Sequence, residues 1–192
     1  MAEFKNRFCL IALASLSALL SSGLASGADK PAVVFDGKDT LLRPEGYREW
    51  VFVGSSLGLR YEQNSEKDPG NEAKRFNNVY LNPAAYREFS KTGKFPDGTV
   101  LVLEIAAAET KKEPGLQGSF QKEFIALEAA VKDSRRFEGG WAYFSFDDKT
   151  GKPKDKAQPF PRASCYDCHH QKAATDHVFT QFYPVLRANQ GK

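Results

Sequence analysis

Methionine is almost missing from this chain: of 192 residues only Met1 is one, and histidine and cysteine number three each. The excess of positive charge is small, +3 at neutral pH, so no basic footprint for nucleic acid is present. There is no internal repeat and no low-complexity tract. The one long apolar run, Phe8 to Leu20, is too short to span a bilayer comfortably. It follows Lys5 and Arg7 and precedes the small residues Ser21 to Ala28, which is the anatomy of a secretory signal. Residues 1–28 therefore read as a cleaved signal peptide, with an uncleaved anchor as the alternative, and residues 29–192 as a single exported domain. Cys9 would leave with the signal, and no methionine would remain to ligate a metal.

What is present is a 41% hydrophobic composition with 15 Phe, enough for a real core. Two cysteines remain in the exported chain, three apart, in Cys165-Tyr166-Asp167-Cys168-His169, followed by His170. This is the attachment pattern of c-type haem. Thiols at that spacing can add to the two vinyl groups of one haem, and the adjacent imidazole can reach the iron from the same side. A helical turn over the segment places Cys165, Cys168 and His169 on one face, as i, i+3 and i+4 neighbours. Ser164 is a candidate N-cap for it. Three other readings compete: a thiol redox pair, a zinc site in need of a fourth ligand, and a local disulfide. The motif, the export signal and the lack of other mature cysteines together favour one covalent haem c, with His169 on the iron.

The opposite side of the iron has few candidates. Without methionine, His/Met ligation is excluded. His170 adjoins the proximal ligand, and His177 reads as a partly exposed residue in the first turn of a helix. Lysine and tyrosine stay open as ligands. The simplest iron is five-coordinate and open to a small molecule.

Elsewhere, residues 29–47 form a mixed lead-in, and strands are expected at Trp50–Tyr61, Phe76–Leu81, Thr99–Ile105 and Gly140–Phe146. Arg60–Arg75 reads as a loop. Asn82 as N-cap, Pro83 at the first helical position and Gly93 as the stop bound a helix over Ala84–Lys91. Phe120–Asp133 is ambiguous between strand and helix. Asp147–Arg162 reads as a loop, and Val178, Phe182 and Val185 or Leu186 as a helical stripe kinked or ended near Pro184. The order indicates an α+β, mainly β fold: an antiparallel sheet with short helices and a C-terminal haem-attachment segment.

Longer stretches carry a family resemblance. Leu42-Arg43-Pro44, Tyr47 to Gly54, Asn78 to Ala84, Asp97-Gly98-Thr99, Leu127-Glu128, Gly140 to Phe146, the haem motif and Val178 to Pro184 resemble the cytochrome P-460 family, which includes the cytochromes c′-β. The resemblance implies a mostly antiparallel β fold, often a homodimer, and a five-coordinate periplasmic haem. Family members with a lysine cross-linked to the haem oxidise hydroxylamine; the c′-β members bind nitric oxide in an apolar distal pocket. Here that lysine aligns with Leu103, which has no nucleophilic nitrogen, so the cross-link is expected to be absent. Glu128 aligns with the distal carboxylate that accepts protons in active members. On one face of a strand it would stand with Phe124, Ala126 and Ala130, where desolvation would raise its pKa. Phe76 is a candidate distal cap, competing with a plain core role, and Arg43 a candidate donor to a bound N–O ligand, competing with a surface ion pair. Lys149, Lys152, Lys154 and Lys156 form a loop that is either solvated or able to steer an acidic periplasmic redox partner. The expected functions are binding or turnover of small nitrogen oxides, hydroxylamine oxidation with Glu128 as base, and plain electron transfer.

Overall fold

The computed structural model describes residues 31–59, 74–148, 150 and 152–187. The expected signal segment, most of the Arg60–Arg75 loop and Lys149 lie outside these residues. The fold is mainly β, as expected, with two antiparallel sheets and few short helices.

The larger sheet has five strands in sequence order: β3 (Val51–Leu57), β4 (Arg75–Leu81), β5 (Val100–Glu113), β6 (Leu116–Lys132) and β7 (Trp141–Ser145). A second sheet joins β1 (Phe35–Asp36), β2 (Thr40–Leu42) and β8 (Lys156–Ala157). The last of these lies inside the stretch read as a loop. The ambiguous segment is wholly strand: β5 and β6 make a long hairpin turned at Pro114-Gly115, far longer than Thr99–Ile105 suggested.

Strand alternation explains why both faces of the large sheet are covered. On β5, Leu101 and Leu103 face one way and Val100 and Val102 the other; on β7, Trp141 and Tyr143 oppose Ala142 and Phe144. The first set joins Val53, Val79, Leu81, Phe89, Tyr166, Tyr183 and Leu186 in a core beneath the helices. The second joins Leu41, Tyr47, Leu127 and Phe146 in a core that includes residues of the small sheet.

Helix α1 (Pro83–Thr92) starts and ends as the sequence indicated. Pro83 occupies the first turn, and Gly93, at φ +69, donates its N–H to the Phe89 carbonyl. Asn82 does not cap with its side chain. Its Oδ1 accepts from Val100 N (2.9 Å) and its Nδ2 donates to Gly98 O (3.2 Å), so it ties the helix start to β5. Helix α2 (Tyr166–Lys172) carries the motif, and Pro184 opens a short helix, α3 (Pro184–Arg187), rather than ending one.

Candidate functional site

Helix α2 is short and is preceded by a 3-10 turn at Arg162–Ser164, so Cys165, not Ser164, holds the N-cap position. Its backbone carbonyl accepts from His169 N at 3.1 Å, which closes the first turn. Asp167 in that turn and Lys172 in the last complement the helix dipole. Tyr166 anchors the helix. It is buried, with the Arg162 guanidinium 3.6 Å from its ring centroid, and its phenol occupies space that any side chain at Gly139 would fill.

Cys165, Cys168 and His169 are all half-buried, and both cysteines are free thiols. Burial, then the charge of Glu128, pushes the Cys165 thiol up to about 11. The His169 ring lies between Tyr143 (4.4 Å between centroids) and Phe179 (4.6 Å). Its Nδ1 is 2.8 Å from the His177 carbonyl oxygen. A carbonyl only accepts, so the proton sits on Nδ1 and the lone pair on Nε2. Burial pushes the His169 pKa down and favours the neutral ring. A neutral imidazole with Nδ1–H bonded to a carbonyl and an Nε2 lone pair is the usual form of a metal-ligating histidine.

The His177 carbonyl is aimed by a tight turn. Thr175 and Val178 pair across Asp176 and His177, whose φ angles are +43° and +63°. Positive φ at both central residues is the pattern of a type I′ hairpin turn. His177 is thus in a turn, not the first turn of a helix, and its Nε2 lies 3.2 Å from His170 Nδ1. Little in the local residues signals this turn, because such turns usually use Asn-Gly or Asp-Gly.

Glu128 projects from β6 between Leu103 of β5 and Ser145 of β7, on the face beneath the helices. Burial, then the charge of Asp147, raises its pKa. Its cross-strand partner Leu103 and Cys165 pack against the same core, and His169 stands against Tyr143 of that core, so the structure brings Glu128, Leu103, Cys165 and His169 to one side of the sheet. Phe124 does not join them. A β-bulge at Ile105/Ala106 shifts the register, so Phe124 pairs with Ala106 and lines a cavity with Leu127.

Phe76 and Arg43 are also elsewhere. Phe76 pairs with Ala106 in the alternation of Asn78 and Glu104, the face opposite Leu103 and Glu128. Arg43 pairs with Asp155 at 3.3 Å and lines that same cavity of about 360 Å³ with Tyr47, Arg48 and Leu127. Lys156 pairs with Asp36, and Lys152 and Lys154 are exposed.

A residue the sequence reading missed is Glu104. Its carboxylate is buried and accepts from Tyr47 Oη (2.5 Å), Arg48 Nε (2.8 Å) and Asn78 Nδ2 (3.4 Å). The bond to Glu104 raises the Arg48 pKa, and burial followed by that bond raises the Tyr47 pKa. The available signal was a glutamate inside the apolar run Val100 to Ala108, because such residues are rarely buried without partners.

The donor set fits a haem better than its rivals. No disulfide links the two thiols, and no cluster of three or more His, Cys, Asp or Glu among the described residues could hold a metal ion alone. Two thiols and an oriented imidazole on one short helix, against an aromatic and aliphatic core, are what the group requires. A family model described as Cytochrome P460 matches residues 44–180, which include Glu128, both thiols and His169. No curated protein matches the chain.

Proposed function

The chain belongs to the cytochrome P460 family, and from that premise we propose that it is a periplasmic c-type cytochrome that binds small nitrogen oxides at one covalently held haem. The family implies a haem cofactor. Cys165 and Cys168 would hold it through thioethers, and His169 would ligate it. The supporting observation is the His169 imidazole itself, held between the tilted rings of Tyr143 and Phe179 with its Nδ1 bonded to the His177 carbonyl. When bound, the haem would supply an iron able to take a diatomic or hydroxylamine-sized ligand.

The protein supplies the rest. His170 and His177 hydrogen-bond to each other on the side of His169, and Met1 is the only methionine, which supports a five-coordinate iron. By resemblance, Leu103 beside Glu128 provides hydrocarbon where cross-linked family members have lysine, so the haem would be held by two thioethers without that cross-link. Tyr143, Phe179 and Leu103 keep the surroundings apolar. A homodimer and an exchange of electrons with a periplasmic partner belong to the same reading, by resemblance to the family. Optical spectra of the reduced protein with and without nitric oxide test it. A large spectral change is expected, and none with excess ligand would refute it. Intact mass after denaturation should retain one haem.

A second reading is favoured by Glu128: hydroxylamine oxidation, with the raised pKa making that carboxylate a stronger base than an ordinary glutamate. Steady-state turnover with an artificial electron acceptor tests this. Glu128→Ala should lower it by about 10²-fold or more, and undiminished turnover would remove Glu128 from the chemistry.

A further inference from the structure

The two residues preceding Val178 sit in a conformation that neither favours. Asp176 and His177 are the only non-glycine residues with positive φ among the described residues. Such residues persist where their surroundings over-determine them. Here the surroundings act on one carboxylate. Asp176 Oδ2 accepts from Lys132 Nζ at 2.7 Å, and Asp176 Oδ1 accepts from Trp141 Nε1 at 3.1 Å. Lys132 is the last residue of β6 and Trp141 the first of β7, and the two are cross-strand partners. Trp141 is buried and Lys132 also donates to the Phe95 carbonyl at 2.6 Å, so both donors are fixed to the sheet. One residue further on, the His177 carbonyl receives the His169 Nδ1 proton at 2.8 Å.

We propose that Asp176 is a positioning residue for the axial imidazole: clamped between Lys132 and Trp141, it holds the left-handed turn that aims the His177 carbonyl at His169 Nδ1. The proposal rests on the reading of His169 as the iron ligand. A strong Nδ1–H···O=C bond increases electron donation from Nε2. Loosening the turn should therefore weaken the bond from iron to imidazole and destabilise the oxidised iron relative to the reduced one. The sheet edge, through Asp176, thereby sets a property of the metal with which it makes no contact. The His177 ring also lies near this carboxylate, its Nδ1 3.6 Å from Asp176 Oδ1, but it is the His177 carbonyl that reaches His169.

The test uses the holoprotein. Resonance Raman spectra of the reduced form report the iron–histidine stretch, and redox titration reports the potential. Asp176→Ala should move the stretch to lower frequency and the potential upward, with haem mass retained. Asp176→Asn, which tolerates positive φ and keeps an acceptor for Trp141, should restore part of both. His177→Gly, which keeps the carbonyl and suits the turn, should leave the stretch near its native frequency. If Asp176→Ala does not fold, Trp141→Phe removes one donor to the carboxylate and should give a smaller shift of the same sign. An unchanged stretch and potential in a folded clamp variant would overturn the proposal alone. A native protein with no iron–histidine stretch would overturn the ligand assignment, and the proposal with it.

Discussion

Glu104 and Glu128 stand on neighbouring strands, one register step apart, yet on opposite faces of the same sheet. Glu104 faces Leu127 across the ladder and Glu128 faces Leu103. Glu104 is surrounded by donors from Tyr47, Arg48 and Asn78. For Glu128, no hydrogen bond to the carboxylate is found among the described residues, and burial raises its pKa. One carboxylate is committed to holding the 3-10 turn at Tyr47–Glu49 against the sheet. The other is left costly to ionise, beside the attachment segment. A buried charge is structural when its partners are supplied and chemically responsive when they are withheld.

Removing the donors' common acceptor should have the largest effect. Glu104→Ala strands the Tyr47 hydroxyl and Arg48, and should cost about 3 kcal/mol in urea-unfolding experiments. Haem attachment should survive in the folded fraction. A loss below about 0.5 kcal/mol would place Glu104 with ordinary surface residues.

Leu103→Lys tests the other side, by giving Glu128 the cross-strand partner it lacks. The Glu128 pKa should move from above the ordinary carboxylate range to below it, as an opposite charge at that distance favours ionisation. Infrared or NMR titration of the carboxylate reads the sign directly.

Glu128 also predicts a pH dependence. Its folded pKa is raised above the ordinary 4.5, so the folded chain holds the proton more tightly than the unfolded one. Stability from this group is full below the unfolded pKa and falls as pH rises through the folded value. Glu128→Gln should flatten that decline, and the native and variant stability curves should converge at acid pH. Parallel curves would mean that the carboxylate is solvated.

The smallest effect is expected at Arg43. Its partner Asp155 is exposed, and such pairs contribute about 0–1 kcal/mol. Arg43→Ala should therefore change stability little and leave nitric oxide affinity unaltered, because the residue lies on the Glu104 side. A changed affinity would mean that the two faces communicate.

The sequence revealed elements and chemistry more readily than faces. β3, β4, β7 and α1 follow from alternation, Pro83 and Gly93, and the thiols with His169 follow from spacing alone. Which way a side chain points on β6 did not follow, since the bulge at Ile105/Ala106 inverts Phe124 relative to Glu128, and a bulge depends on the partner strand. Arg43 and Phe76 were placed by resemblance near the ligand, but register decides their face and is not encoded locally. Asp176 was silent for a related reason: its partners are 35 and 44 residues away.

The docked position of Tyr166 bears on how the protein matures. With the helix in place, the Cys165 sulfur is packed against the core, and burial pushes its thiol up to about 11, which disfavours the thiolate at neutral pH. Under the proposed attachment chemistry, the finished fold shields the atom that must react. Vinyl addition should then precede closure of the C-terminal segment, and folding too early would be a dead end. Iodoacetamide should label Cys165 slowly in the folded, haem-free chain and quickly in urea; equal rates would show that the fold leaves the sulfur open to reaction.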